Sequence, residues 1–156
     1  MKRIFFLAVM LVVSIFYADN TIAQLHVNFD VNIGKQPVWG PVGYDHAEYY
    51  YLPEIEAYYC VPKRKFVFQD GGDWRFASVL PERYGIYDMN RAYKVVINDP
   101  RPYLSHAYYR EKYSSYREHH DPQPIIRESE DPRYYQIKEH PRHNQWRNYR
   151  DKYEHR

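Results

Sequence analysis

Tyrosine, more than any aliphatic residue, sets the terms on which this chain can fold. Nineteen of its 156 residues are tyrosine, and they inflate a nominal hydrophobic content of 44%. Each ring carries a hydroxyl that wants water or a hydrogen-bond partner, so a core built from such rings must also supply acceptors. Val, Ile, Leu, Met and Phe number 38, with 13 in residues 1–23, 22 in residues 24–105 and 3 in residues 106–156. The chain therefore has three unlike parts. Length allows one small domain. The distribution excludes a two-domain enzyme with a large buried cleft, a multi-span membrane protein and one continuous globule.

Residues 1–23 read as a secretory signal. Lys2 and Arg3 precede an unbroken apolar stretch over residues 4–18, and Thr21, Ile22 and Ala23 suit the positions a signal peptidase reads. The stretch is 15 residues long, whereas a membrane span needs roughly 20. Cleavage after Ala23 and a periplasmic or secreted location are expected, with no membrane span left. No cysteine lies near the cut, so a lipoprotein is not expected. Residues 24–156 then carry 20 basic and 19 acidic side chains, a balance that argues against nucleic acid as a partner. Cys60 is the only cysteine, which excludes an intramolecular disulfide. Among Tyr58, Tyr59 and Val61 it reads as a small buried hydrophobe, with pairing between chains as the alternative.

Residues 24–105 read as a small β domain. Leu25, Val27, Phe29, Val31 and Ile33 alternate with His26, Asn28, Asp30 and Asn32, the period-two pattern of a half-buried strand. Two prolines and two glycines then break the chain around Trp39. Residues 55–61 and 65–69 predict a hairpin with a basic turn at 62–64, and residues 70–73 predict a second turn leading to a strand at 74–79. A last strand is expected at 93–97. The fold class is mainly β: a small antiparallel meander, partly open barrel or sandwich, with a short helix and an extended polar C-terminal tail. Trp39, Trp74 and several tyrosines complete its thin core.

The strings Gln36-Pro37-Val38-Trp39-Gly40-Pro41-Val42-Gly43-Tyr44-Asp45, Tyr49-Tyr50-Tyr51-Leu52-Pro53-Glu54-Ile55-Glu56-Ala57-Tyr58-Tyr59, Gly71-Gly72-x-Trp74 and Leu80-Pro81-x-Arg83-Tyr84 resemble a group of short exported proteins of Bacteroidota. The likeness extends through residues 93–98 and into Asp131-Pro132-Arg133-Tyr134-Tyr135. The resemblance implies export from a double-membraned cell and no particular chemistry.

The tail holds 11 basic, 9 acidic, 6 histidine and 8 tyrosine residues over 106–156. Alone, it lacks the apolar surface to offset its ordering entropy. A helix is expected over 106–118, where Tyr109, Tyr113 and Tyr116 recur at helical spacing. Extended or disordered chain is expected over 119–156, with Ile125-Ile126 and Tyr134-Tyr135 as anchors where it lies along the domain.

No serine stands in a Gly-x-Ser-x-Gly elbow, and nothing in the sequence brings Cys60 to His46. Glu54 and Glu56, two apart on an expected strand, read as a solvated face rather than as a hydrolytic pair. His119, His120, His140 and His143 have the ligand chemistry for zinc, copper or nickel, with Asp121, Glu139 or His155 as further donors. No cofactor is expected otherwise. Trp39, Tyr49, Tyr50 and Tyr51 are candidates either to face a sugar or to fill the core. Arg133-Tyr134-Tyr135 and Arg147-Asn148-Tyr149-Arg150 interleave cations and rings in a way that suits anionic envelope glycan or lipid headgroup. The sequence thus points to a non-enzymatic exported envelope protein acting on an envelope protein or polymer through Tyr/Trp-rich and basic surfaces. A metal- or carbohydrate-binding module is the alternative.

Overall fold

The computed structural model describes residues 31–119 and 121–154. Five antiparallel strands form one sheet: β1 (Tyr49–Leu52), β2 (Ala57–Cys60), β3 (Lys65–Asp70), β4 (Asp73–Ala77) and β5 (Val95–Ile97). Their order is β4-β3-β2-β1-β5, so the sheet is open rather than closed into a barrel. Four strands form a meander, and residues 78–94 carry the chain across to the far edge. Asp70 pairs with Asp73 across Gly71 and Gly72, whose φ values of 60° and 89° are the left-handed geometry that a tight hairpin requires.

The tyrosine triplet lies on β1, an interior strand between β2 and β5. Tyr49, Tyr50, Tyr51 and Leu52 are all buried, because both faces of the sheet are covered. Tyr49 and Tyr51 share one face with Tyr58, Cys60, Val67 and Ile97, under Trp74, Tyr103, Tyr109 and Tyr113. Tyr50 and Tyr59 share the other with Ala47 and Val61, under Trp39, Phe66 and Val96. The first cover includes helix α1 (His106–Lys112), which falls inside the expected helical stretch and gives way to a 3-10 turn at Ser114–Tyr116.

The strand expected over 25–33 fails where it can be seen. Residues 25–30 lie outside the described residues; Val31 is exposed, and Ile33–Lys35 is a 3-10 turn. Asn32 explains the change. Its side-chain amide donates to Ala47 O at 2.7 Å and accepts from Ala47 N at 2.9 Å, so it takes both bonds a neighbouring strand would make. The chain then turns and buries Ile33 with Val38, Ile126, Tyr134 and Ile137.

That cluster shows what the polar tail does. Ile126 N donates to Gly40 O at 2.9 Å and Arg127 N to Val38 O at 2.7 Å, tying the tail to the loop that carries Trp39. Ile126, Tyr134 and Ile137 are buried against Val38 of that loop, Ile125 bridges to Pro41, and Tyr135 is buried beside His140. Extended chain and short 3-10 turns at Ile126–Glu128 and Pro132–Gln136 lead to a second helix, α2 (His143–Glu154), in a region where the sequence reading expects no helix.

The closest approach in this stack is at Gly40, where a Cβ would stand 2.6 Å from the Tyr50 hydroxyl and 3.0 Å from its ring. The Gly40→Ala protein is expected to lose about 1–3 kcal/mol of stability, the usual cost of forcing atoms into a packed site. Tyr50→Phe, which strands the buried Gln36 carbonyl, is expected to lose about 1–2 kcal/mol. Urea unfolding followed by circular dichroism reads both, and unchanged midpoints would contradict this packing.

Candidate functional site

The four aromatic candidates do not converge. Tyr49 and Tyr51 lie on one face of the sheet and Tyr50 on the other, each almost fully buried. Trp39 folds over the second face, its ring centroid 5.6 Å from that of Tyr50 and 4.7 Å from that of Tyr59, both edge-on. The three tyrosine rings complete the core, and the half-buried Trp39 ring closes it over the second face.

The histidines are also dispersed. His120 lies outside the described residues. His119 sits edge-on to Tyr93 at 4.7 Å, with Nε2 3.7 Å from the Asp121 carboxylate. His140 is buried, and both its ring nitrogens are engaged: Nε2 lies 3.1 Å from Ile126 O, and Nδ1 accepts from Arg142 N at 3.1 Å. The neutral tautomer with its proton on Nε2 satisfies both bonds. His143 directs Nδ1 to Tyr135 O at 2.9 Å and stacks on Trp146. His140 and His143 therefore hold the turn through Pro141 together. Among the described residues, no group of three or more His, Cys, Asp and Glu side chains is placed to hold a metal ion.

Glu54 and Glu56 lie in the turn between β1 and β2, not on a strand. Glu54 borders a recess of about 330 Å³ with Tyr87, Asp88, Arg91, Tyr93 and His119. Beside it, burial pushes the Lys94 amine down to about 8, against the opposing pull of Asp88. Lys94 Nζ donates to Met89 O at 2.8 Å and the side chain is closed off from solvent, so it anchors the 86–92 loop rather than meeting a substrate. Cys60 is a buried free thiol within the sheet, and His46 turns to Glu48 at 3.1 Å.

The two cation–aromatic strings have opposite fates. Tyr134 and Tyr135 are buried, and Arg133 is paired with Asp45 and Asp131. That string is used up in docking the tail. The second string lies on α2, where Tyr149 is 66% exposed and Arg147 is exposed. Arg150 lies over the Trp146 ring at 4.7 Å, and Trp146 is half-buried one turn from Tyr149. This face combines rings and cations at the surface, which is the chemistry of contact with a phosphate- or sulfate-bearing polymer. The spacing of His143, Trp146, Tyr149 and Arg150 by three and four residues is the signal by which the sequence could have revealed the helix.

Comparison with known proteins finds no matching family model, no matching curated protein and no matching solved structure.

The tail histidines set a pH dependence. Burial holds the pKa of His140 below the usual histidine value, and burial does the same at His106, opposed there by Glu56. Below about pH 6.5 the unfolded chain therefore binds more protons than the folded one. The stabilisation is full above that pH and is lost as pH falls through the folded-state values. Urea midpoints are expected to drop between about pH 7.5 and pH 5, with a shallower drop in His140→Gln. An equal slope in wild type and variant would contradict the assignment.

Proposed function

We propose that this chain is a non-enzymatic exported envelope protein that binds an anionic envelope polymer through the exposed face of α2. The observation that carries the reading is the selective exposure of Arg147 and Tyr149, beside Trp146 and Arg150, while the other cation–aromatic string is consumed in packing. The leader-like order of residues 1–23 and the resemblance to short exported proteins of Bacteroidota support export. No helix among the described residues is long and apolar enough to cross a membrane. The sheet and its docked tail serve as a scaffold that presents one aromatic and basic helix.

Secreted in a Bacteroidota host, the protein is expected to begin at Gln24, as read by N-terminal sequencing. Purified protein should be retained on lipopolysaccharide and released by salt, since charge contacts between exposed groups are screened over about 10 Å at 0.1 M. The Arg147→Glu/Tyr149→Ala double variant should lose at least tenfold in retention with its circular dichroism unchanged. Equal retention of the variant, or none by wild type on lipopolysaccharide or peptidoglycan, would sink the proposal.

A further inference from the structure

Tyr58 occupies the centre of the sheet and has no solvent exposure. Its hydroxyl lies 3.0 Å from Nδ1 of His106, the first residue of α1. The other ring nitrogen of His106, Nε2, faces the Glu56 carboxylate at 3.7 Å. A carboxylate beside Nε2 favours the tautomer protonated there, which leaves Nδ1 as the acceptor for the phenol proton. Glu56 is held at this spot by Arg117 at 2.5 Å and Arg110 at 3.9 Å, from a turn position with φ of 50°. Burial raises the Tyr58 pKa and lowers that of His106, so at neutral pH the pair rests as phenol and neutral imidazole.

Rings connect this pair to the surface. Trp74, half-buried on β4, is 5.8 Å from Tyr58, 5.1 Å from His106 and 5.8 Å from Tyr103, centroid to centroid. Phe76, at the exposed edge of the sheet, adjoins Tyr103 at 5.5 Å. A phenol that loses an electron becomes a strong acid, and a positive charge left on it in a dry interior is costly. A neutral base already bonded to the hydroxyl removes that cost.

We propose that Tyr58, His106 and Trp74 form a proton-coupled electron relay that draws the damage of one-electron oxidants, such as peroxyl or carbonate radicals, away from the tyrosine-rich surface. The oxidant takes one electron from Trp74 and leaves as its anion. The Trp74 radical cation takes one electron from Tyr58 and is restored. The Tyr58 O–H bond breaks, and its proton forms a new N–H bond at Nδ1 of His106. The products are a neutral tyrosyl radical and an imidazolium that faces Glu56. One electron leaves the protein and every proton is retained. The radical then rests in the core, where it cannot couple with a tyrosine of a second molecule.

Flash oxidation of the full chain with photogenerated tris(bipyridine)ruthenium(III), followed by transient absorption and freeze-quench electron paramagnetic resonance, tests this. Wild type should pass a short-lived tryptophanyl signal to a long-lived tyrosyl radical, with slower transfer in D₂O. Tyr58→Phe keeps the ring and should lower the long-lived tyrosyl yield at least threefold while raising dityrosine cross-linking. His106→Gln should slow the transfer about tenfold and abolish the isotope effect, with circular dichroism as in wild type. A Tyr58→Phe protein with wild-type yield and lifetime would overturn the relay, because another tyrosine would then be the sink. An unchanged transfer rate in His106→Gln would overturn it equally.

Discussion

The interaction on which this structure depends is the hydrogen bond made by a buried phenol. A tyrosine core is stable only when most of the hydroxyls it takes out of water meet a partner, since an unmet one, as at Tyr87 among the described residues, costs about 1–3 kcal/mol. The sheet's own backbone is already paired in its ladder, so the partners come from elsewhere. Tyr50 donates to Gln36 at 2.9 Å, Tyr58 is bonded to His106, and Tyr135 donates to Glu130 O at 2.7 Å. Tyr134 accepts from Gly43 N at 2.7 Å. Each bond fixes a segment outside the sheet to a ring within the core. Loops and tail are ordered because the hydroxyls need them, which is how so few aliphatic residues suffice.

Side-chain amides extend the same logic to the backbone. Asn32 closes on both polar groups of Ala47, and Gln123 closes on both of Lys94, accepting from N at 3.1 Å and donating to O at 3.0 Å. The Gln123 pair lies just before β5, where an edge strand would otherwise offer free donors and acceptors. An amide has one donor side and one acceptor side, so it copies a single residue of a strand and then stops. The sheet is capped there without another strand. The opposite edge, β4, carries Asp73 and Arg75, and charge on an edge discourages pairing with a second sheet.

Much of the sheet was legible from sequence. Strands β2 to β5 and the two hairpin turns followed from β-forming runs bounded by Pro, Gly and charge. Strand β1 was ambiguous because Tyr49, Tyr50 and Tyr51 show no alternation: a strand buried on both faces has none to show. The end of the expected 25–33 strand, at residues 31–33, is not extended, because alternation says nothing of an amide that can stand in for a neighbour. The docked tail was anticipated only through its anchors Ile125-Ile126 and Tyr134-Tyr135. The helix after Pro141 was missed because its ring and cation spacing sits in a composition that resembles a solvated coil. Of the site candidates, chemistry was readable and exposure was not: Arg133-Tyr134-Tyr135 and Arg147-Asn148-Tyr149-Arg150 look alike in sequence, and only packing separates them.

The bonds from residues 126 and 127 back to residues 40 and 38 bear on how the chain reaches its native state. Contacts across such a sequence separation form late, because a long loop must close before they repay its entropy. The loop bearing Trp39 cannot gain these two bonds until residues 126 and 127 have been made. A nascent chain of this design therefore lacks that lock over its sheet until residues 126 and 127 have emerged.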